Sequence, residues 1–230
     1  MWEDSMPVEG VFFDLDGTLA DTMPQLVKAS AKTCKIMGIP VPDYETMSSY
    51  VGNGVWMILV RLIAGRYEAK REDVDEVFLK RTREVYNRCY FEGLASDYTV
   101  FPGVEETLAF CHEHGVKVSV ITNKPAMFAE PLLKFMQLYD KFDFVLGGEV
   151  LSERKPHPAP LLYVADRFKL KPERCLMVGD SDNDILAAHN AGMKSMFLQG
   201  GYYHKDPRQL KPDYIVANYQ DILCIIKELL

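Results

Sequence analysis

The amino-acid sequence predicts an α/β fold, a doubly wound parallel sheet with an inserted all-helical domain, and three observations carry that expectation. Short, nearly continuous apolar runs end at polar or glycine-rich residues, the pattern of strands buried on both faces. From about residue 98 onward, such runs alternate with helix-like stretches, as right-handed βαβ units require. Between the first run and that alternation, residues 20–97 carry helical patterning alone.

Taken in order, the first strand covers residues 10–13 and ends in Asp14-Leu15-Asp16-Gly17-Thr18. Helices are expected at 23–37, 55–64 and 72–91, the charged run 66–84 being a solvated helix face. Further strands are expected at 116–121, 143–146 and 175–178, with shorter ones at 196–198 and 214–216. Helices at 104–113 and 184–191 are closed by Gly115 and Gly192, and two more fall at 126–136 and 159–168. The expected division is therefore a sheet domain of residues 1–19 and 98–230, interrupted by a helical domain of residues 20–97. No internal repeat or low-complexity segment is present.

Composition narrows the function. The chain has 230 residues, 48% of them hydrophobic, enough for a sizeable core. A net charge of −7 argues against nucleic acid or an anionic membrane as partner, and leaves a phosphorylated small molecule open. Five cysteines without a C-x-x-C pair point away from disulfide scaffolding and structural zinc, towards a reducing compartment. Residues 1–9 contain no apolar signal-like core, and no run approaches the ~18 apolar residues of a membrane span. A cytoplasmic location is the expectation. Oligomeric state, monomer or homodimer, is undetermined by sequence.

The chemistry concentrates at strand ends, where open α/β sheets bind ligands. Asp14 and Asp16 stand one residue apart at the end of an apolar strand. The glycine that follows is read as a turn, with Asp16 already off the strand. Two acids gathered off water need a cation or a shared proton. Later strand ends bring Ile121-Thr122-Asn123, Lys155-Pro156 and Gly179-Asp180-Ser181-Asp182-Asn183-Asp184. Singly, each has an ordinary reading: Thr122-Asn123 or the 179–184 loop as helix caps, Lys155 as an exposed loop lysine.

In this order the four segments resemble the haloacid dehalogenase-like phosphohydrolase superfamily over nearly the whole chain, and the helical insert resembles its C1 cap type. That resemblance implies a phosphatase working through an aspartyl-phosphate, with Mg²⁺ as cofactor. It makes Asp14 the nucleophile and Asp16 the general acid and then base. Thr122 and Asn123 would hold phosphoryl oxygens, and Lys155 would balance charge. The metal set it implies is the Asp14 side chain, the Asp16 main-chain carbonyl and Asp180, with Asp184 in support. The histidines form no constellation, and neither histidine catalysis nor zinc is expected.

In the insert, Val51-Gly52-Asn53-Gly54-Val55 before an apolar helix resembles a segment of phosphoglycolate phosphatases. Gly52 and Asn53 either contact a small substrate carboxylate through exposed helix-start amides or simply begin the helix, and the resemblance favours substrate contact. Gly200-Gly201-Tyr202 and Pro212-Asp213-Tyr214-Ile215 also resemble that family, while the pair Tyr202-Tyr203 and the following His204-Lys205 depart from its usual form. The expected activity is hydrolysis of a small phosphate monoester, 2-phosphoglycolate first. Alternatives are a β-phosphoglucomutase-type phosphotransferase, a phosphatase for another sugar phosphate or nucleotide, or a non-enzymatic phosphoaspartate receiver module. The inserted lobe and Asp16, placed to hydrolyse an acyl phosphate, argue against the last of these.

Overall fold

A computed structural model describes residues 7–203 and 206–230. His204 and Lys205 lie outside the described residues, as does the stretch 1–6. The chain divides into two compact units, Met1–Asp21 with Val100–Leu230, and Thr22–Thr99.

The first unit is an α/β layer structure. Its strands are β1 (Gly10–Phe13), β4 (Lys117–Pro125), β5 (Phe144–Gly148), β6 (Cys175–Gly179), β7 (Lys194–Leu198) and β8 (Tyr214–Val216). The chain leaves this unit after the two-residue strand β2 (Ala20–Asp21) and returns through β3 (Thr99–Val100). Within the unit, the Phe101 amide donates to the Leu19 carbonyl at 3.0 Å, closing the two crossings side by side.

The main sheet runs β5-β4-β1-β6-β7-β8, with every adjacent pair parallel. Val11, Phe12 and Phe13 are wholly buried, which is why β1 reads as an unbroken apolar run. Burying each phenylalanine contributes about 1.5–3 kcal/mol. Helices α7 (Ala159–Phe168) and α8 (Asp182–Ala191) join Phe12, Ile121 and Met177 in one apolar cluster. Helix α5 (Val104–Glu113) packs on β4 and against α9 (Tyr219–Glu228), and α6 (Ala126–Phe135) packs on β4 and β5.

Register matters most for function. Phe13 pairs with Val120 on one side and Val178 on the other. The residues one step further, Asp14, Ile121 and Gly179, therefore emerge level at the carboxyl ends of three adjacent strands. Strand order reverses at β1, so this is the topological switch point of the sheet.

Several boundaries differ from expectation. Strand β4 runs on to Pro125 rather than stopping at Ile121, with a register break between those residues. Its polar end carries no hydrophobic signal, because those side chains meet partners from other loops. Helix α8 starts at Asp182, since Ser181 and Asp184 form a capping box there.

The second unit is all helical: α1 (Met23–Met37), α2 (Tyr44–Ser49), α3 (Val55–Ala64) and α4 (Glu76–Gly93). Helix α2 was not expected; six residues are too few for periodicity, although Asp43 caps it by accepting from the Thr46 amide. The helix expected at 72–91 is a 3-10 turn, Arg71–Asp73, followed by α4, because Asp75 accepts the Phe78 amide at 2.7 Å and starts the helix there. Helices α1 and α4 pack on each other around the stacked rings of Tyr86 and Tyr90.

Arg61 turns inward in this unit. It is buried and donates to the Tyr50 carbonyl at 2.7 Å, the Asn53 side chain at 2.8 Å and the Tyr67 carbonyl at 3.0 Å. It thus ties the segment before α3 to the segment after it. Arg61→Leu is expected to destabilise the protein by about 2–4 kcal/mol by stranding those acceptors, read as a lower urea midpoint. An unchanged midpoint would show that the guanidinium holds nothing.

Among the described residues no helix is long and apolar enough to cross a membrane. Cys34, Cys89, Cys111, Cys175 and Cys224 are all free, and the last is the exposed one.

Candidate active site

Three loops and one strand end build the site. After β1 the chain turns back on itself: Gly17 donates to the Ala20 carbonyl at 2.9 Å, and Leu19 to that of Leu15 at 2.9 Å. Gly17 has φ of +81°, and a Cβ there would strike the Asp180 carboxylate, so two constraints demand glycine. The turn takes Asp16 off the strand, which ends at Phe13.

Asp14, Asp180 and Asp184 each offer one carboxylate oxygen, and the three lie within 4.8 Å of one another. Asp14 projects from the end of β1, anchored by its amide to the Val178 carbonyl at 3.0 Å. Asp180 follows β6; its oxygens accept from the Thr18 hydroxyl at 2.9 Å and the Tyr202 amide at 2.7 Å. Tyr219 in turn donates to the Thr18 carbonyl at 2.8 Å, bracing the turn from α9. Asp184 serves two structures at once. One oxygen accepts from the Ser181 amide and hydroxyl at 3.0 and 2.6 Å, starting α8, and the other meets Lys155 at 2.6 Å.

Lys155 is buried and also donates to the Ile121 carbonyl at 2.5 Å, with Asp14 3.1 Å away. Asn123 donates its amide to the Lys155 carbonyl at 2.9 Å, holding that loop. The Thr122 hydroxyl oxygen accepts the Lys124 amide at 3.1 Å, which leaves its proton to donate elsewhere. Asp16 contributes no side-chain oxygen to the three-acid group; its carboxylate faces Lys124, with both oxygens at 2.8 and 3.1 Å. Gly52 and Asn53 belong to the helical unit, where the Asn53 side-chain Oδ1 accepts from Arg61.

Electrostatics mark the acid cluster as strained. Burial pushes the Asp14 carboxyl up to about 6, with Asp184 and Asp16 adding to the rise and Lys155 opposing it. Burial, then Asp184 and Asp14, push Asp180 well above the usual carboxylate range, against the Tyr202 and Thr18 hydrogen bonds. For Lys155 burial works downward, but Asp14 and Asp184 outweigh it and hold the ammonium above its ordinary value. One ammonium thus meets two of the three clustered acids, and negative charge is in surplus.

A hard dication fits that surplus. The donors are all carboxylate oxygens gathered within 4.8 Å of one another, and the buried Asp14 Oδ1 atom has the Lys155 ammonium 3.1 Å away. Glycines keep the space: a Cβ on Gly179 would run into Asp184, and one on Gly201 into Asp180. Gly201→Ala is expected to displace Asp180 and weaken Mg²⁺ binding by about 10-fold or more, measured by titration calorimetry. Unaltered affinity would mean that Asp180 is not a ligand.

The model of the haloacid dehalogenase-like hydrolase family matches residues 11–198, spanning the acid cluster and both lysines. The chain belongs to the haloacid dehalogenase-like hydrolases. It is 34% identical over 220 residues to a phosphoglycolate phosphatase of Colwellia psychrerythraea, covering 95% of this chain and 97% of that protein. Identity to a phosphoglycolate phosphatase of Photorhabdus laumondii is 36%, covering 95% and 92%. A crystal structure of a predicted phosphoglycolate phosphatase from Haemophilus somnus superposes with a TM-score of 0.86 at 34% identity, covering 95% of this chain and 97% of that one.

Sequence reasoning missed three contributors of this hydrolase. Thr18 and the Tyr202 amide bind Asp180, and Lys124 binds Asp16. Lys124 directly follows Thr122-Asn123, but nothing local shows that it folds inward. Among the described histidines, His112 meets the Lys141 carbonyl, His114 that of Phe110, His157 the Ala159 amide and His189 the Ser195 hydroxyl.

Proposed function

We propose that this hydrolase is a Mg²⁺-dependent phosphatase of small phosphate monoesters, converting 2-phosphoglycolate to glycolate and phosphate. The observation that carries the reading is near-full-length similarity to phosphoglycolate phosphatases, and a cluster of three acids that could hold a cation supports it.

In this reading Asp14 attacks phosphorus and becomes an aspartyl-phosphate, dividing one hard displacement into two easier ones. Asp16 protonates the departing ester oxygen, then takes a proton from the water that cleaves the intermediate. The Thr122 hydroxyl and the Asn123 backbone or remaining amide hydrogen hold phosphoryl oxygens, and Lys155 offsets their charge. Asp14, Asp180 and the Asp16 main-chain carbonyl would hold Mg²⁺, with Asp184 in support, and the ion would supply charge neutralisation that lets a carboxylate approach a phosphate. In the helical unit, the amides around Gly52 and Asn53 at the start of α3 are assigned to the substrate carboxylate, Asn53 itself being braced by Arg61.

The test is a panel of monoesters with and without chelator. Glycolate and phosphate should appear in equal amounts, with kcat/KM for 2-phosphoglycolate at least about 10²-fold above that for β-glucose 1-phosphate. Glucose 6-phosphate as the main product would replace this reading with phosphoryl transfer between sugar hydroxyls. A long-lived phosphorylated protein without turnover would replace it with a switch.

A further inference from the structure

We propose that Lys124 positions the Asp16 carboxylate for proton transfer, an inference that rests on the acid–base role proposed for Asp16. Lys124 is a buried ammonium, its side chain 2% exposed, paired with both oxygens of Asp16 at 2.8 and 3.1 Å. Burying an ammonium costs several kcal/mol unless it is paired, so the contact is enforced by the fold rather than by passing attraction.

Backbone geometry delivers the lysine. Strand β4 continues past Ile121, its register breaks before Pro125, and the Lys124 amide bonds the Thr122 hydroxyl oxygen at 3.1 Å. That irregular end sets the Lys124 side chain over the turn after β1.

The division of cations supports a specific purpose. Lys155 serves Asp14 and Asp184 at 3.1 and 2.6 Å, whereas Lys124 serves Asp16. Two acids one residue apart are thus given counter-ions from different segments, and Asp16 stays outside the three-acid group. Forked contact fixes the plane of the carboxylate as well as its position. When Asp16 carries a proton, the ammonium retains the oxygen without it, and the O–H must sit on the other oxygen, turned away from Lys124. That proton passes to the ester oxygen as the P–O bond breaks, the bonding pair remaining on the leaving oxygen. In the return step water gives a proton to the same Asp16 oxygen while its own oxygen bonds phosphorus and the Asp14–phosphorus bond opens.

Misplaced acid catalysis has a signature that general damage lacks, because leaving groups differ in their need for a proton. Lys124→Met is expected to lower kcat/KM for 2-phosphoglycolate, an alkyl ester, by about 10²-fold, and for 4-nitrophenyl phosphate by less than about 5-fold. Lys124→Arg, which retains a forked cation, should recover most of the loss. In the Asp16→Asn background, where both partners of the pair are altered and burial of an unpaired charge is relieved, Lys124→Met should change neither substrate further. Equal losses on both esters, or a further loss in the Asp16→Asn background, would assign Lys124 to the fold or to direct phosphate contact and overturn the proposal. If Asp16→Asn itself shows no leaving-group dependence, the acid–base role fails and takes this inference with it. A leaving-group effect in Asp16→Asn but not in Lys124→Met sinks the inference alone.

Discussion

Asp14→Asn is expected to lower kcat by at least about 10⁴-fold while making the metal-free protein more stable at neutral pH. An amide of the same shape cannot attack phosphorus, so the first displacement stops. Stability moves the other way because the wild-type carboxylate is buried among acids and titrates at about 6 instead of 3.8. A rise from 3.8 to about 6 corresponds to roughly 2–3 kcal/mol held against the charged form. Removing the charge should raise Tm by several degrees, at about 2–4 °C per kcal/mol for a chain of this size. That free energy is already net of the attraction of Lys155, 3.1 Å away. Turnover by purified Asp14→Asn, measured beside its melting curve, decides the matter. Substantial metal-dependent hydrolysis by this variant would remove Asp14 as nucleophile.

Stripping divalent ions is expected to lower turnover by at least about 10³-fold, restored by Mg²⁺, and the accompanying change in stability should depend on pH. Asp14, at about 6, and Asp180, also raised, hold protons in the folded state over a range where the unfolded chain has released them. The folded state then binds more protons than the unfolded one, so metal-free stability falls as pH rises from near 4 through 6 and beyond. In the proposed reading Mg²⁺ competes with protons for the same oxygens. Its stabilising effect should therefore be small near pH 5 and grow by several degrees of Tm towards pH 7.5. Melting curves with and without saturating Mg²⁺ across that range test the sign. A Mg²⁺ effect that is constant with pH would separate metal binding from these acids.

Much of the site was legible because its signals are local. Asp14-Leu15-Asp16-Gly17 announces a strand that ends in a reversing turn, and the glycine is required twice over, by φ and by the carboxylate facing it. Asp180 and Asp184 are likewise tied to a strand end and a helix start. Arg61 illustrates the opposite case. Helical periodicity sets its spacing on α3 but cannot say that the guanidinium closes on Tyr50, Asn53 and Tyr67 rather than facing outward. Strand β4 was cut short for a related reason: Thr122, Asn123 and Lys124 are polar, and only partners distant in sequence make an extended polar end favourable.

By itself, then, the sequence determined the alternation of buried strands and helices, the helical insertion, the places where acids leave the strands, and so the family. Those features follow from side-chain period and turn chemistry, which act over a few residues. Only the tertiary structure decided which charges meet. Lys124 reaches Asp16 across 108 residues of chain, and Thr18 reaches Asp180 across 162. Strand order and register bring those residues together, and pairing energies off water keep them so, because a buried charge without its partner costs more than the fold can spare.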